Sequence, residues 1–363
     1  MLRFSGRIEA ERCGSRLAKL TGRIIQVDTF TTEAGRRGRH IMALSESIPS
    51  TLPEDSVGAN GFDIVATYRR FLQEDPDMTM PVAAIESLVI LLSQTEPTTA
   101  SELMDILAKA VAELKKGVKN SISLSAGCDM FQRFVLRNIQ EYGDWEACRR
   151  HLVKNGGLFL ERAKASRYKI AELGLPFIQD DDTILIHSHS RAVTELLLLA
   201  ARHHIRFRVF VTESRPTEEG LSSAKTLRDN GIPVRVIVDG AVGWAIQKVD
   251  KVFVGAEGVA ESGGIINRVG TYQIAVLAKD SNKPLYVVAE SHKFVRLFPL
   301  SPFDLPNESP TASTFTTEQD DDEIQSNPLL DFTSDNLITA LITDIGVLTS
   351  SGVSEELIKM WYD

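Results

Sequence analysis

The hydrophobic pattern of this chain changes near Pro176, and this change constrains the fold more than any other feature of the sequence. After Pro176, short apolar runs alternate with stretches of helical spacing. Strands that alternate with helices of this length predict βαβ units, and therefore an α/β fold with helices on both faces of a parallel sheet. The predicted strands are Thr183–His187, Arg206–Thr212, Pro233–Asp239, Lys251–Gly255 and Leu285–Ala289, and the predicted helices between them are Ala192–Arg202, Ser222–Asp229, Ala241–Val249 and Thr271–Lys279.

Before Pro176, apolar residues recur at helical spacing and no strand-like alternation interrupts them. One helix is predicted over residues 62–72, and a second from Pro81, because proline is tolerated in a first helical turn. Thr99 and Glu102 have the spacing of a capping box, which predicts the start of a third helix. Further apolar stripes follow at residues 130–139 and 145–173.

The two patterns divide the chain into a helical domain at residues 61–175 and an α/β domain at residues 176–363. Residues 1–60 have arginine clusters but little sustained periodicity, and we predict a disordered extension there. Acidic residues among these arginines argue against a mitochondrial transit peptide, which is poor in acids. Near the other end we predict an acidic surface loop at Ser301–Pro328, followed by helices at Ser334–Thr343 and Ser354–Tyr362.

The composition indicates which classes of partner and which cellular compartment this protein is expected to have. The formal net charge of −9 argues against a nucleic-acid backbone as the principal partner. Cys13, Cys128 and Cys148 are far apart and form no C-x-x-C pair, so we expect neither a disulfide framework nor a structural zinc site. No apolar run approaches the roughly 20 residues that cross a bilayer. We therefore expect a cytosolic protein with no membrane partner and no direct nucleic-acid partner.

Polar residues follow the predicted strands where each strand ends, which is where open α/β sheets bind their ligands. Three arginines are placed to contact one anion, and glycines precede the predicted helix at Thr271, where free amides suit a phosphate or carboxylate. The sequence therefore predicts a site for a small anionic ligand, although residues of these types also cap helices and link strands. The candidate residues are Ser188, His189, Ser190, Arg191, Glu213, Arg215, Asp239, Gly263, Gly264, Asn267 and Arg268.

Other groups of residues are weaker indications of a functional site. Ser188 and Ser190 lie beside His187 and His189, but no G-x-S-x-G turn is present, and adjacent residues on a strand point to opposite faces. A metal site at the two histidines has no further ligands at suitable spacing. The glycine-rich segment after the fourth predicted strand matches neither a P-loop nor a dinucleotide fingerprint. We therefore expect no hydrolase triad, no metal and no cofactor.

Several segments resemble, in the same order, the family of alpha subunits of the eukaryotic initiation factor 2B complex. The resemblance covers residues 62–362, and so both predicted domains. Its segments are ILIHSHSR, FVTESRP, VIVDGAVG, VFVGAEGVAESGGIINRVGTYQIAVLAK, KPLYVVAESHKFVRLFPL and LITALITDIGVLTSSGVSEELIK.

The wider superfamily includes methylthioribose-1-phosphate and ribose-1,5-bisphosphate isomerases, which have a helical N-terminal domain and a Rossmann-like C-terminal domain. By this resemblance, Ser188 stands at the position of the isomerases' catalytic cysteine, whereas Asp239 and Arg215 match their catalytic aspartate and an arginine. The arginine of their N-terminal phosphate-binding motif is missing, since Met78 and Thr79 occupy that region.

Two more positions differ from the isomerases: Glu257 replaces an aspartate, and Arg268 replaces a lysine beside the retained Asn267. A thiol, with a reference pKa of about 8.5, can be tuned to exchange protons near neutrality, but a serine hydroxyl needs a dedicated base. The resemblance therefore implies a ligand pocket that has lost its catalytic partner.

The function implied by the resemblance is that of a regulatory subunit, not an enzyme, of the guanine-nucleotide exchange factor for translation initiation factor 2. Its implied partners are a second copy of the chain in a homodimer, the other exchange-factor subunits, and the phosphorylated alpha subunit of initiation factor 2. A sugar phosphate or a nucleoside monophosphate is the expected ligand. Two alternatives stay open, namely an active sugar-phosphate isomerase and a stand-alone metabolite-binding protein.

Overall fold

The computed structural model of the chain describes residues 62–75, 78–95, 97–118, 121–141, 145–301, 304–305 and 328–362. The extension predicted at residues 1–60 and most of the predicted acidic loop lie outside these residues, so both stay predictions. None of the described helices is long and apolar enough to cross a membrane.

Five helices form the first part of the described chain, and its described residues before Gly174 contain no strand, as the periodicity predicts. The capping box is present in modified form. Thr99 Oγ1 accepts the Glu102 N–H at 3.2 Å, but the Glu102 carboxylate accepts the N–H of Thr98, at 2.8 Å. The helices are α1 (Ile64–Glu74), α2 (Met80–Gln94), α3 (Ala100–Gly117), α4 (Ser121–Glu141) and α5 (Trp145–Gly174).

Helix α2 packs against each of the other four helices, and its Ile85 and Leu88 are fully buried. The contact with α4 depends on Gly127, because a Cβ at this position would lie 2.8 Å from the backbone of Pro81. The last turns of α5 leave this cluster, since Ile170 and Ala171 pack under the sheet of the second part. One helix therefore belongs to both hydrophobic cores.

The second part is built on a seven-stranded sheet of order β10-β9-β7-β4-β1-β2-β3, parallel except for β10. All five predicted strands are present. The strands are β1 (Thr183–His187), β2 (Arg208–Thr212), β3 (Val234–Ile237), β4 (Lys251–Val254), β7 (Leu285–Val288), β9 (Ala340–Thr343) and β10 (Gly346–Leu348), and the helices are α6 (Arg191–Arg202), α7 (Glu219–Asp229), α8 (Val242–Ala245), α9 (Thr271–Asp280) and α10 (Ser350–Tyr362).

A second, antiparallel sheet of order β5-β6-β8 was not predicted from the sequence. Its strands are short, and β8 pairs with β6 from far along the chain, with Asn267 opposite Asp331. Long-range pairing of this kind leaves no local pattern. The three strands are β5 (Gly258–Val259), β6 (Ile265–Arg268) and β8 (Leu330–Thr333).

The prediction of a helix at Ser334–Thr343 is wrong, because this segment is a 3₁₀ turn followed by strand β9. Leu341 and Ile342 are both fully buried, since β9 lies inside the sheet beside β7 and is covered on both faces. A short apolar run buried on both faces has no period of its own, so it resembles a helix segment in sequence. The helix predicted at Ser354–Tyr362 is confirmed as part of α10.

A buried charge cluster joins α5 to the end of β7. The side chain of Glu290 is 1% exposed and lies 3.4 Å from Arg167 Nε and 3.0 Å from Lys293 Nζ. Lys293 also donates to the carbonyl of Ala256, which follows β4. Burial alone would raise the pKa of Glu290, but Lys293, His292 and Arg167 lower it to about 2.

We expect Glu290→Gln to destabilise the protein by about 3 kcal/mol, because it removes a fully buried negative charge that faces two partly buried cations, Arg167 and Lys293. The folded pKa of Glu290, about 2, lies below its ordinary value of 4.5. Its stabilisation is therefore present at neutral pH and is lost as the pH falls from about 4.5 to about 2. Urea unfolding at pH 7 and pH 3 measures both effects.

The matched control is Glu261→Gln, which removes an exposed ion pair with Arg296 and should cost less than about 1 kcal/mol. Equal losses of unfolding free energy in the two variants would contradict the role given to the Glu290 cluster.

Candidate functional site

Three side chains meet at the carboxyl end of β1. Arg268 makes a two-pronged contact with Glu219, through Nε at 3.0 Å and Nη2 at 2.7 Å. The Ser188 hydroxyl donates to the same carboxylate, at 3.0 Å from Oε2. The structure thus brings together Ser188 and Arg268, two predicted site residues that are 80 positions apart in the chain, through a glutamate that was not predicted.

The local backbone explains how these groups meet. Ser188 leaves β1 with a φ of 59°, a left-handed conformation that is uncommon for a residue other than glycine. Glu219 opens α7, and the next residue must be glycine, because a Cβ on Gly220 would lie 1.8 Å from the carbonyl oxygen of Thr212. The first turn of α7 is therefore pressed against the end of β2, beside the end of β1.

Asp239 organises the neighbouring strand end. Its Oδ1 accepts the N–H of Ser214 at 3.0 Å, and its Oδ2 accepts the N–H of Arg215 at 2.8 Å. The predicted aspartate therefore holds the loop after β2 through both oxygens, each of which retains a further lone pair. Asp239 therefore has a structural role in holding this loop, which the sequence alone did not reveal.

Arg215 lies at the rim of the site. Its side chain is 60% exposed and forms ion pairs with Glu213, at 3.4 Å, and with Glu218. Two glutamates from the same loop thus neutralise the arginine that was predicted to meet an anion.

His187 is buried beneath the site. Its Nδ1 lies 2.6 Å from Thr212 Oγ1, and its Nε2 lies 3.0 Å from the carbonyl oxygen of Val269. These partners assign the proton to Nε2, which donates to the carbonyl, while Nδ1 accepts from the threonine. Burial lowers the pKa of His187, although the negative charges of Asp239 and Glu219 oppose this. A neutral His187 therefore links β1 and β2 to the start of α9.

The three residues after Ser188 have structural partners. His189 Nδ1 lies 2.9 Å from the Ser223 hydroxyl, which donates to the carbonyl of Ser188. Ser190 caps α6 by accepting the Val193 N–H at 3.4 Å. Arg191 donates to the carbonyl of Met78, so it reaches the helical part of the chain.

The prediction that the amides of Gly263 and Gly264 are free at a helix start is wrong. The Gly263 N–H donates to the Ala260 carbonyl at 2.9 Å, and the Gly264 N–H donates to Ser262 Oγ at 3.3 Å. Both glycines belong to the turn between β5 and β6, several residues before α9 begins. They are needed there because a Cβ would collide with Ser350 at Gly263 and with Phe332 at Gly264.

The N-terminus of α9 is occupied by a carboxylate of the chain. Asp331 of β8 accepts the N–H groups of Gly270 at 2.7 Å and Tyr272 at 3.0 Å through Oδ2. Its Oδ1 is buried without a hydrogen-bond partner among the described residues. Burial raises the pKa of Asp331 to about 7, although the amides of Tyr272 and Gly270 oppose this. Asn267, opposite it on β6, donates to Thr271 Oγ1 at 3.0 Å.

Three of the predicted anion-binding groups at the strand ends therefore already contact a carboxylate of this chain, whereas Arg191 donates to the carbonyl of Met78. Arg268 binds Glu219, Arg215 binds Glu213 and Glu218, and the amides at the start of α9 bind Asp331. Glu219 was missed because the sequence pattern started its helix at Ser222. An acidic residue in a first helical turn is also common for dipole reasons alone, so its position carries little signal.

The site contains no thiol among the described side chains. Cys128 lies in the core of the helical part, where burial raises the pKa of its thiol to about 12. The side chains of Cys13 and Cys148 are outside the described residues. Within the described ranges, no group of three His, Cys, Asp or Glu side chains is arranged to hold a metal ion.

We expect Asp331→Asn to remove a pH dependence of stability, because asparagine keeps an acceptor for the α9 amides but does not ionise. The folded pKa of Asp331, about 7, lies above its ordinary value of 3.8. The wild type should therefore lose up to about 4 kcal/mol of unfolding free energy between pH 4 and pH 8, and the variant should not. Unfolding in urea across this pH range measures the difference, with the exposed Asp280→Asn as the control. Parallel profiles for wild type and Asp331→Asn would contradict the assignment.

Curated relatives of two kinds are similar to this chain. The translation initiation factor eIF2B subunit alpha of Dictyostelium discoideum is 40% identical over 82% of this chain and 96% of its own length. The corresponding subunit of Caenorhabditis elegans is 34% identical over 82% of this chain and 98% of its own length. The ribose 1,5-bisphosphate isomerase of Methanocaldococcus jannaschii is 32% identical over 61% of this chain and 70% of its own length.

Solved structures share the fold. The translation initiation factor eIF-2B of Pyrococcus horikoshii matches with a TM-score of 0.61 at 25% identity, over 79% of this chain and 96% of that chain. A chain of the tetrameric eIF2B-beta2-delta2 complex of C. thermophilum matches with a TM-score of 0.66 at 18% identity, over 82% of this chain and 96% of that chain.

The chain also matches the sequence pattern of a whole protein family, and the match covers most of both parts of the structure. It runs over residues 73–350, from the end of α1 to the start of α10. With this match and the two alpha-subunit relatives, the chain belongs to the initiation factor 2 subunit family.

Proposed function

We propose that this chain is a non-catalytic regulatory subunit of the guanine-nucleotide exchange factor for translation initiation factor 2. The observation that carries the proposal is the 40% identity to an eIF2B alpha subunit over nearly the whole of that relative. The identity extends through both the helical part and the α/β part, so the proposal concerns the complete architecture and not one shared domain.

The geometry at the strand ends supports a non-catalytic role. Ser188 stands where the isomerases are expected to have a cysteine, and its hydroxyl donates to Glu219. Both oxygens of Asp239 already accept backbone amides, and Met78 and Thr79 replace the N-terminal phosphate-binding arginine. The Glu219 carboxylate beside this hydroxyl is already paired with Arg268, and a hydroxyl without a free base beside it is a poor acid/base group near neutral pH.

The decisive experiment is affinity purification of the chain from its native cell, followed by identification of the proteins that co-purify. We expect the other exchange-factor subunits in near-equal amounts. Recovery of the chain without any of them would contradict the proposal and favour a stand-alone metabolite-binding protein.

A second candidate function, an active sugar-phosphate isomerase, is favoured by the 32% identity to a ribose 1,5-bisphosphate isomerase. The purified chain should not convert ribose 1,5-bisphosphate, and Ser188→Cys should not create the activity, because the N-terminal arginine is also missing. Turnover by the wild-type chain would establish the second candidate in place of the first.

The regulatory role includes recognition of the phosphorylated alpha subunit of initiation factor 2. A phosphoserine brings strong negative charge and requires basic partners. The outer face of α5 supports this part of the proposal, because basic side chains are exposed there at helical spacing. They are Arg150, Lys154, Arg162 and Lys169.

A homodimer through the α/β part is the proposed form of the subunit in solution. Strand β3 is an edge of the large sheet, and two large hydrophobic side chains beside it, Val238 and Trp244, are more than a third exposed. Arg235 and Lys248 lie over the Trp244 ring, which orients it at the surface. An edge strand flanked by exposed apolar groups suits burial against a second copy.

We expect Trp244→Glu to convert the dimer into monomers, because it places a charge in the centre of the proposed interface. Light scattering at micromolar concentration measures the mass. The matched control is Phe298→Glu, which changes an even more exposed aromatic residue, 64% against 50%, in the segment after β7. A monomeric wild type, or a dimer that survives Trp244→Glu, would contradict this interface.

The strand ends are the proposed pocket for a sugar phosphate or a nucleoside monophosphate that is bound without being turned over. Arg268 and Arg215 would contact the phosphate, and the remaining lone pairs of Asp239 would accept from sugar hydroxyls. This assignment is supported by the convergence of Ser188, Arg268 and the Asp239 loop around the buried His187.

A further inference from the structure

The anion-binding group with the best geometry at the strand ends is Arg268, and it is already paired. Its guanidinium donates two hydrogen bonds to Glu219, and the Ser188 hydroxyl donates a third to the same carboxylate. The side chains of Arg268 and Glu219 are only 22% and 30% exposed, so water screens this pair weakly. The carboxylate also lies at the N-terminus of α7, an 11-residue helix whose dipole favours a negative charge.

These contacts are the ones that a phosphate would make. A guanidinium binds a carboxylate and a phosphate in the same two-pronged way, and a hydroxyl donates equally well to either. Glu219 therefore occupies, with atoms of the chain itself, the position at which an anionic ligand would be held.

We propose that Glu219 is an internal anion of the ligand pocket, and that a phosphorylated ligand binds Arg268 and Ser188 only by displacing it. This inference rests on the pocket described under the proposed function, and it assigns to Glu219 the control of affinity and selectivity. The displaced carboxylate has a route outward, because its side chain is partly exposed and has three rotatable bonds.

The internal anion makes the pocket selective by charge. A ligand with one carboxylate replaces Glu219 with an equivalent group and gains little at Arg268. A phosphate monoester carries close to two negative charges at neutral pH and offers three acceptor oxygens, so it can outcompete the glutamate. The ligand concentration that half-saturates the pocket should then depend on the strength of the Arg268–Glu219 pair.

The test compares the wild-type chain with Glu219→Gln, which keeps the shape of the side chain and removes its charge. Calorimetric titration uses two probes, inorganic phosphate and ribose 5-phosphate. We expect Glu219→Gln to bind both probes at least about tenfold more tightly than the wild type. Adding Arg268→Ala to Glu219→Gln should abolish the gain, because the phosphate then loses its main partner.

The matched control is Glu195→Gln, which removes another helical glutamate paired with an arginine, Arg202, away from the strand ends. It should bind the probes as the wild type does. If Glu219→Gln fails to fold, which a melting curve would reveal, Glu219→Ala replaces it with the same expected gain.

Three results would overturn the inference. Equal affinity of wild type and Glu219→Gln would show that Glu219 does not compete, and the pocket itself would stand. A gain that survives Arg268→Ala would place the phosphate elsewhere. Absence of binding to either form at millimolar concentration would overturn both the internal anion and the pocket. The regulatory role is tested separately by co-purification, so its failure is distinguishable from each of these.

Discussion

Six parallel strands bring all their carboxyl ends to one edge of the sheet, and the rest of the structure depends on how the polar groups at this edge are satisfied. In this chain, side chains of the protein itself are the partners of these polar groups. Carboxylates supply the partners: Asp239 for the loop after β2, Asp331 for the start of α9, Glu219 for Arg268, and Glu290 for the cations that join α5 to β7. Buried polar groups without partners would cost too much to be tolerated at so many positions.

The same arrangement gives the site its chemical character. Because two of the arginines at this site are already paired with carboxylates and the Ser188 hydroxyl already donates, the arrangement supports the proposal that the pocket binds a ligand without reacting with it. The fold does not decide between the two roles, since the relatives of this chain include both eIF2B alpha subunits and a ribose 1,5-bisphosphate isomerase. Function on a shared fold is decided by the side chains at the site. In the proposed function, Ser188 and Glu219 are the residues that favour binding over catalysis at this site.

Much of the architecture could be predicted from local pattern. The five helices of the first part and the five strands β1 to β4 and β7 were predicted because their apolar spacing or β-branched content is a property of neighbouring residues. The elements that were missed or wrong share a physical cause. Strands β6 and β8 pair over a long sequence separation, and β9 is a short run buried on both faces, so neither has a local periodicity that distinguishes it.

For the site, the sequence by itself determined which strand ends carry polar groups, and hence that Ser188, Arg215, Asp239 and Arg268 face a common edge. Only the tertiary structure decided which of these groups are free to act. Glu219 reaches Arg268 because Gly220 allows α7 to press against β2, and Asp331 reaches α9 because β8 pairs with β6. Hydrogen bonds and ion pairs between residues far apart in the chain depend on distances of a few ångströms, and the order of residues does not encode these distances locally.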